Sequence, residues 1–191
     1  ILGQGFMLVP LFWFLISHRE PLFKRLRLNP IPRQTALFTL LFSLGLIIVF
    51  DEIDRIIQIF IPAPEYILNL NGLLQPESVG GFILLFTAVV LIAPLGEELL
   101  FRGFLQQFLE EHWKDVTRAI LITALFFAVI HMNPYWFVQI YILGITLGFL
   151  SWKTGSVLPP LLLHGMNNGG AMVFSFTSAG NQSFYLWNAH V

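Results

Sequence analysis

The sequence predicts an all-α fold: a polytopic membrane bundle of about six transmembrane helices around a membrane-embedded cavity. Three observations predict it. Of the 191 residues, 56% are hydrophobic and 11% charged, against about 25% charged in a soluble domain. The apolar residues gather into six segments, each near the roughly 20 residues a helix needs to cross a bilayer. Ionisable residues interrupt those segments at a few positions only, and groups of that kind at membrane depth are costly enough to suggest function.

The first segment, residues 1–17, lacks a basic leading region and a small-residue cleavage site, so it reads as a membrane helix and not a signal peptide. A basic linker follows with Arg19, Lys24, Arg25, Arg27 and Arg33, broken by Pro21, Pro30 and Pro32. The second segment is 35–50. Residues 51–80 form a polar connection, whose front, 53–60, has the pattern of a short amphipathic helix lying on the membrane. Its remainder, with Pro62, Pro64, Asn71-Gly72 and Pro76, reads as loop. The third segment is 81–110 and ends in a charged turn. The fourth is 118–132, stopped by Asn133-Pro134, and the fifth is 135–152, where Gly144 and Gly148 favour close helix contact. Lys153-Thr154-Gly155 is a turn before the sixth segment, 158–176. No repeat or second domain is visible, so 1–180 is one transmembrane domain with a polar tail at 181–191.

Basic residues favour the cytoplasmic side. Placing the 19–33 linker there also puts Lys114, Arg118 and Lys153 there by strict alternation, eight of the ten Lys and Arg in all. The bilayer is therefore one partner. A net charge of −1 gives no reason to expect nucleic acid. With no cysteine, the chain has no disulfide, thiolate nucleophile or cysteine metal site.

The stretch Ala93-Pro94-Leu95-Gly96-Glu97-Glu98-Leu99-Leu100-Phe101-Arg102 sets two carboxylates and a guanidinium inside an apolar run. Residues four apart on a helix share a face, so Glu98 and Arg102 are placed to pair. Glu97 points about 100° away around the helix and becomes the candidate working carboxylate. Pro94 and Gly96 predict irregular backbone just before it, as is tolerated where backbone lines a cavity or is buried in protein.

Two further pairs repeat the spacing: Phe127 with His131, and His164 with Asn168. From a rise of about 1.5 Å per residue, Glu97 and His131 lie roughly 20 Å from the cytoplasmic loops, and His164 and Asn168 roughly 12 to 18 Å. Packing of these segments can thus gather Glu97, His131, His164 and Asn168 around one pocket. A carboxylate and an imidazole flanking a water can take its proton, and a second His with an Asn can donate to a developing oxyanion. Alternatively, two His with Glu97 form a zinc shell, although no His-Glu-x-x-His helix is present. Spacing alone leaves both open. Serine chemistry is disfavoured, since there is no Gly-x-Ser-x-Gly.

Glu97-Glu98-x-x-x-Arg102, Phe127-x-x-x-His131 and His164-x-x-x-Asn168, in that order on successive membrane segments, resemble the three motifs of the CPBP family. That family comprises Rce1-type CAAX prenyl proteases and bacteriocin-processing (Abi) proteins. The similarity covers about residues 80–176. It implies an intramembrane endopeptidase in which Glu97 and His131 activate water, His164 and Asn168 stabilise the oxyanion, and Glu98, Arg102 and Phe127 support the site. The family has been described both as metal-dependent and as glutamate-type. The metal-free form is preferred here, because His164 and Asn168 suit oxyanion donation better than a shared ion. If a metal is used, zinc on Glu97, His131 and His164 is the expectation. The resemblance implies a peptide or prenylated protein as substrate and leaves its identity open, and the short chain suggests a prokaryotic plasma-membrane protein. The competing readings are a non-catalytic scaffold or immunity protein of the same fold, and a proton-coupled transporter. Four costly polar groups kept in lipid argue against the first, and the absence of an inverted repeat against the second.

Overall fold

In a computed structural model of the chain, the described residues are 2–62, 64, 65, 67, 76 and 78–178. The tail at 181–191 and the Asn71-Gly72 turn lie outside them. Each of the six apolar segments carries a helix, and no strand occurs among the described residues. The helices are α1 (Leu2–Ser17), α2 (Leu22–Arg25), α3 (Arg33–Phe60), α4 (Val79–Trp113), α5 (Val116–Ile130), α6 (Phe137–Thr154) and α7 (Leu158–Ser178). Among the described residues, α3, α4 and α6 are long and apolar enough to cross a membrane. The fold is a helical membrane bundle. Its outer faces carry exposed Phe38, Leu41, Ile83, Leu84, Phe126 and Val138, an apolar surface suited to lipid.

Two boundaries differ from the sequence reading. Residues 53–60 do not form a separate surface helix; they continue α3, which runs 28 residues without a break. Nothing in the sequence stops the helix before Pro62, and two pairs four residues apart support the polar extension: Arg55 donates to Asp51 and Gln58 to Asp54. Trp136 Nε1 also donates to Asp54, so this extension holds the α5–α6 connection. The fourth segment ends earlier than expected. α5 has 15 residues, about 22 Å of rise against a hydrocarbon core of about 30 Å. His131 is therefore the cap of α5 and stands at the start of the irregular stretch that follows it.

The irregularity expected near Pro94 is present, in a form that keeps the helix intact. α4 is α-helical at Ala93–Glu98 and π-helical on either side, at Thr87–Ile92 and Leu99–Leu105. A π turn accommodates one extra residue, so the chain passes the proline by widening and not by breaking.

α4 and α6 run parallel, tied by Arg102 Nη2 to the Gly144 carbonyl and Gln106 Nε2 to the Gly148 carbonyl. Glycine at these positions lets the helices approach. A Cβ on Gly144 would stand 3.0 Å from the Ala124 Cβ, and one on Gly148 would stand 2.9 Å from the Gln106 Oε1. Two apolar clusters frame the motif helix. Leu11, Leu15, Leu26, Leu99 and Val157 join α1 and the linker to α4. Phe101, Phe127, Leu143, Leu147 and Leu163 join α4 to α5, α6 and α7.

The basic linker closes one end of the bundle. Arg27 pairs with Glu110 and its carbonyl accepts from Val157, while Ser156 Oγ donates to the Asn29 carbonyl. Arg25 bridges Glu20 and Glu111, and the hydrogen bonds it donates to Glu20 and then Glu111 hold its guanidinium pKa above the usual arginine value. Beneath the linker, a Cβ on Gly103 would lie 2.9 Å from the Leu26 carbonyl oxygen. Gly103→Ala is therefore expected to lower stability by about 1–3 kcal/mol through overpacking against backbone, read as a shift in detergent-unfolding midpoint. An unchanged midpoint would show that the linker is not seated on α4.

Candidate active site

The site starts from charge compensation within α4. The Glu98 and Arg102 side chains are 1% and 0% exposed, with Nη1 and Oε1 2.7 Å apart. Arg102 also donates to the Gly144 carbonyl at 3.2 Å, and its guanidinium carbon lies 4.2 Å from the centre of the Phe127 ring. One charge is thus met by a carboxylate, a backbone carbonyl and an aromatic face. The carboxylate in turn meets a second helix: Glu98 Oε1 accepts from His164 Nδ1 at 2.8 Å. The expected Glu98–Arg102 pair therefore also reaches α7.

His131 Nδ1 lies 2.6 Å from the Phe127 carbonyl oxygen. A carbonyl only accepts, so Nδ1 carries the proton. The same reasoning at Glu98 puts a proton on His164 Nδ1. In both rings Nε2 is then the nitrogen whose protonation can change. Both Nε2 atoms lie 3.8 Å from one atom, Glu97 Oε2. That separation exceeds a direct hydrogen bond and suits one bridging molecule. Phe127 backs the arrangement, with ring centroids 4.7 Å from His131 and 5.5 Å from His164, both edge to face.

Three helices thus bring Glu97, His131 and His164 together. Asn168 stands one turn beyond His164 on α7, and its Nδ2 donates to the Val89 carbonyl of α4 at 3.0 Å. A carboxamide nitrogen has two hydrogens, so this bond occupies one of them. The Glu97 and His164 side chains are 9% and 3% exposed, whereas His131 is 30% exposed. The most exposed member of the cluster is thus His131, beside the α5–α6 connection.

Sequence reasoning missed the continuation of the polar row. Gln106 is buried, donates to Glu110 and Gly148, and lies one turn beyond Arg102; Glu110 lies one turn further and meets Arg27. The signal was available as a four-residue spacing, 98–102–106–110. Removing one member of the buried ion pair leaves the other charge uncompensated. Arg102→Met is expected to cost about 3–5 kcal/mol, and Glu98→Gln with Arg102→Met markedly less, measured by unfolding in bicelles. Equal costs would show that the two charges are not coupled.

Residues 79–170 match the family described as type II CAAX prenyl endopeptidase Rce1-like. A curated protein of Escherichia coli named "Uncharacterized 24.3 kDa protein" is 29% identical over 99 residues, covering 50% of this chain and 46% of that protein. The chain thus spans about half the length of that relative. No solved structure matches. All three motifs and every residue of the Glu97–His131–His164 cluster fall inside the matched segment, which is similar to the Rce1-like domain.

Proposed function

We propose that the chain is an intramembrane endopeptidase in which Glu97 and His131 activate a water for attack on a peptide carbonyl. The observation that carries this reading is the convergence of two Nδ1-anchored imidazoles on one oxygen of Glu97, each 3.8 Å away. A water held between Glu97 and His131 gives up a proton as its oxygen adds to the carbonyl carbon. Arg102 meets Glu98, while the Glu97 carboxylate faces both imidazoles. His164, bonded to Glu98 through Nδ1, carries a second proton on Nε2 in this reading. Its Nε2–H and the second amide hydrogen of Asn168 then donate to the oxyanion. The proton taken from water passes to the amine as the carbon–nitrogen bond breaks.

Among the described residues no three His, Cys, Asp or Glu side chains stand close enough to hold a metal ion as placed, so a zinc reading requires the cluster to draw together. Glu97, His131 and His164 would then hold the ion, and both Nδ1 atoms are already bonded as the second shell of a metal-bound histidine requires. Such an ion would supply Lewis-acid activation of water. We prefer the metal-free reading, because Asn168 beside His164 forms an oxyanion donor pair and a shared ion would take His164 out of it. The substrate class is a membrane-associated peptide or prenylated protein, and the location a prokaryotic plasma membrane. The Rce1-like match supports the substrate class, and the apolar helices with the Escherichia coli relative support the location.

The test is cleavage of a quenched fluorescent peptide panel, prenylated and unprenylated, by purified protein. Glu97→Gln is expected to lower turnover by about 10²–10⁴-fold, the range of a lost general base, while wild-type activity survives a zinc chelator. Loss with chelator and recovery with zinc would replace the metal-free mechanism. Cleavage undiminished in Glu97→Gln would sink the assignment of Glu97.

A further inference from the structure

Pro94 lies outside the Glu97–His131–His164 cluster, and no step assigned so far uses it. The π-helical register upstream of it ends with the Ala93 N–H bonded to the Ala88 carbonyl, five residues back. One residue on, the same step directs position 94 to the carbonyl of Val89, and an α-helical step directs it to that of Val90. Proline has no N–H to give to either. Carbonyls within a membrane-spanning helix must find other partners, and both of these face α7. Asn168 Nδ2 donates to the Val89 oxygen at 3.0 Å. The Val90 oxygen lies where a Cβ on Gly165 would come within 2.9 Å of it, so α7 can seat there only with glycine at that position. Gly165 and Asn168 follow His164 by one and four residues, so the same turn of α7 carries the His164–Glu98 bond.

We propose that Pro94 is a positioning residue for Asn168. By withholding one backbone donor, it leaves the Val89 carbonyl as the acceptor that orients the Asn168 carboxamide. One amide hydrogen is thereby engaged and the other is kept for the oxyanion. The ledge formed by Val89 and Val90 also sets the height of α7 against α4, which matches His164 to Glu98. This role rests on the endopeptidase reading for its consequence in catalysis, but the hydrogen bond itself is testable without activity.

Pro94→Ala supplies the missing N–H, which competes with Asn168 for the Val89 oxygen. With Asn168 no longer held, kcat is expected to fall about 10²-fold, near the loss for one oxyanion donor, with KM within about twofold, as for an interaction made only in the transition state. In an Asn168→Ala background the same substitution is expected to cost less than about threefold, because coupled residues are not additive. Equal losses in both backgrounds, or none in either, would overturn the proposal. A second measurement separates this from failure of the protease reading. In protein labelled with ¹⁵N-asparagine, the Asn168 side-chain amide should show one slowly exchanging proton in wild type and none in Pro94→Ala. If that signal is unchanged by the substitution, Pro94 does not position Asn168, whatever the activity. If it is lost while wild type cleaves no peptide, the positioning stands and the protease reading fails.

Discussion

The rest of the structure depends on neutralising Arg102 and Glu98 where water is excluded. Two charges brought out of water are stable only with good geometry and with their remaining hydrogen-bonding capacity met. Here that demand recruits every motif-bearing helix: Glu98 and Arg102 from α4, the Phe127 ring from α5, the Gly144 carbonyl from α6 and His164 from α7. The small residues follow from it. Gly144 must be bare because α6 is drawn against Ala124 of α5, at a distance that leaves 3.0 Å for any Cβ. The ion pair is thus a reason for helices to associate in lipid, where burial of apolar surface supplies little drive.

The working atoms sit on the periphery of that hub. Glu98 meets His164 at Nδ1, and the Phe127 backbone and ring meet His131. The end under the basic linker is sealed by Arg27, Glu110 and Gln106, whereas His131 stands at the end of the short helix α5. Irregular backbone at membrane depth survives where it lines a water-filled cavity. α5 stops at Ile130, and Met132 has a positive φ of 46° just beyond His131, so the partly exposed imidazole stands where the backbone turns irregular. Trp136 and Asp54 brace the α5–α6 connection from α3.

Much of the site was legible because membrane sequences announce their exceptions. Against an apolar background, the four-residue spacings at Glu98–Arg102, Phe127–His131 and His164–Asn168 name faces, and counting residues from the loops gives depth. The same rule reaches Gln106 and Glu110, which close the third segment beside its charged turn. The end of α3 was misread: acidic residues suggested exit from the helix, while the pairs they form four residues apart kept it going.

The sequence by itself determined the membrane bundle, the helix segments and the pairing of Glu98 with Arg102. These are local or one-dimensional properties, set by composition and period. Only the tertiary structure decided that both Nε2 atoms meet a single oxygen of Glu97, that Glu98 serves α7 as well as its own helix, and that Asn168 is held by the Val89 carbonyl. Each of these depends on which face one helix turns to another. That is set by the form the backbone takes around Pro94 and by how closely the glycines let the helices approach, neither of which spacing alone gives.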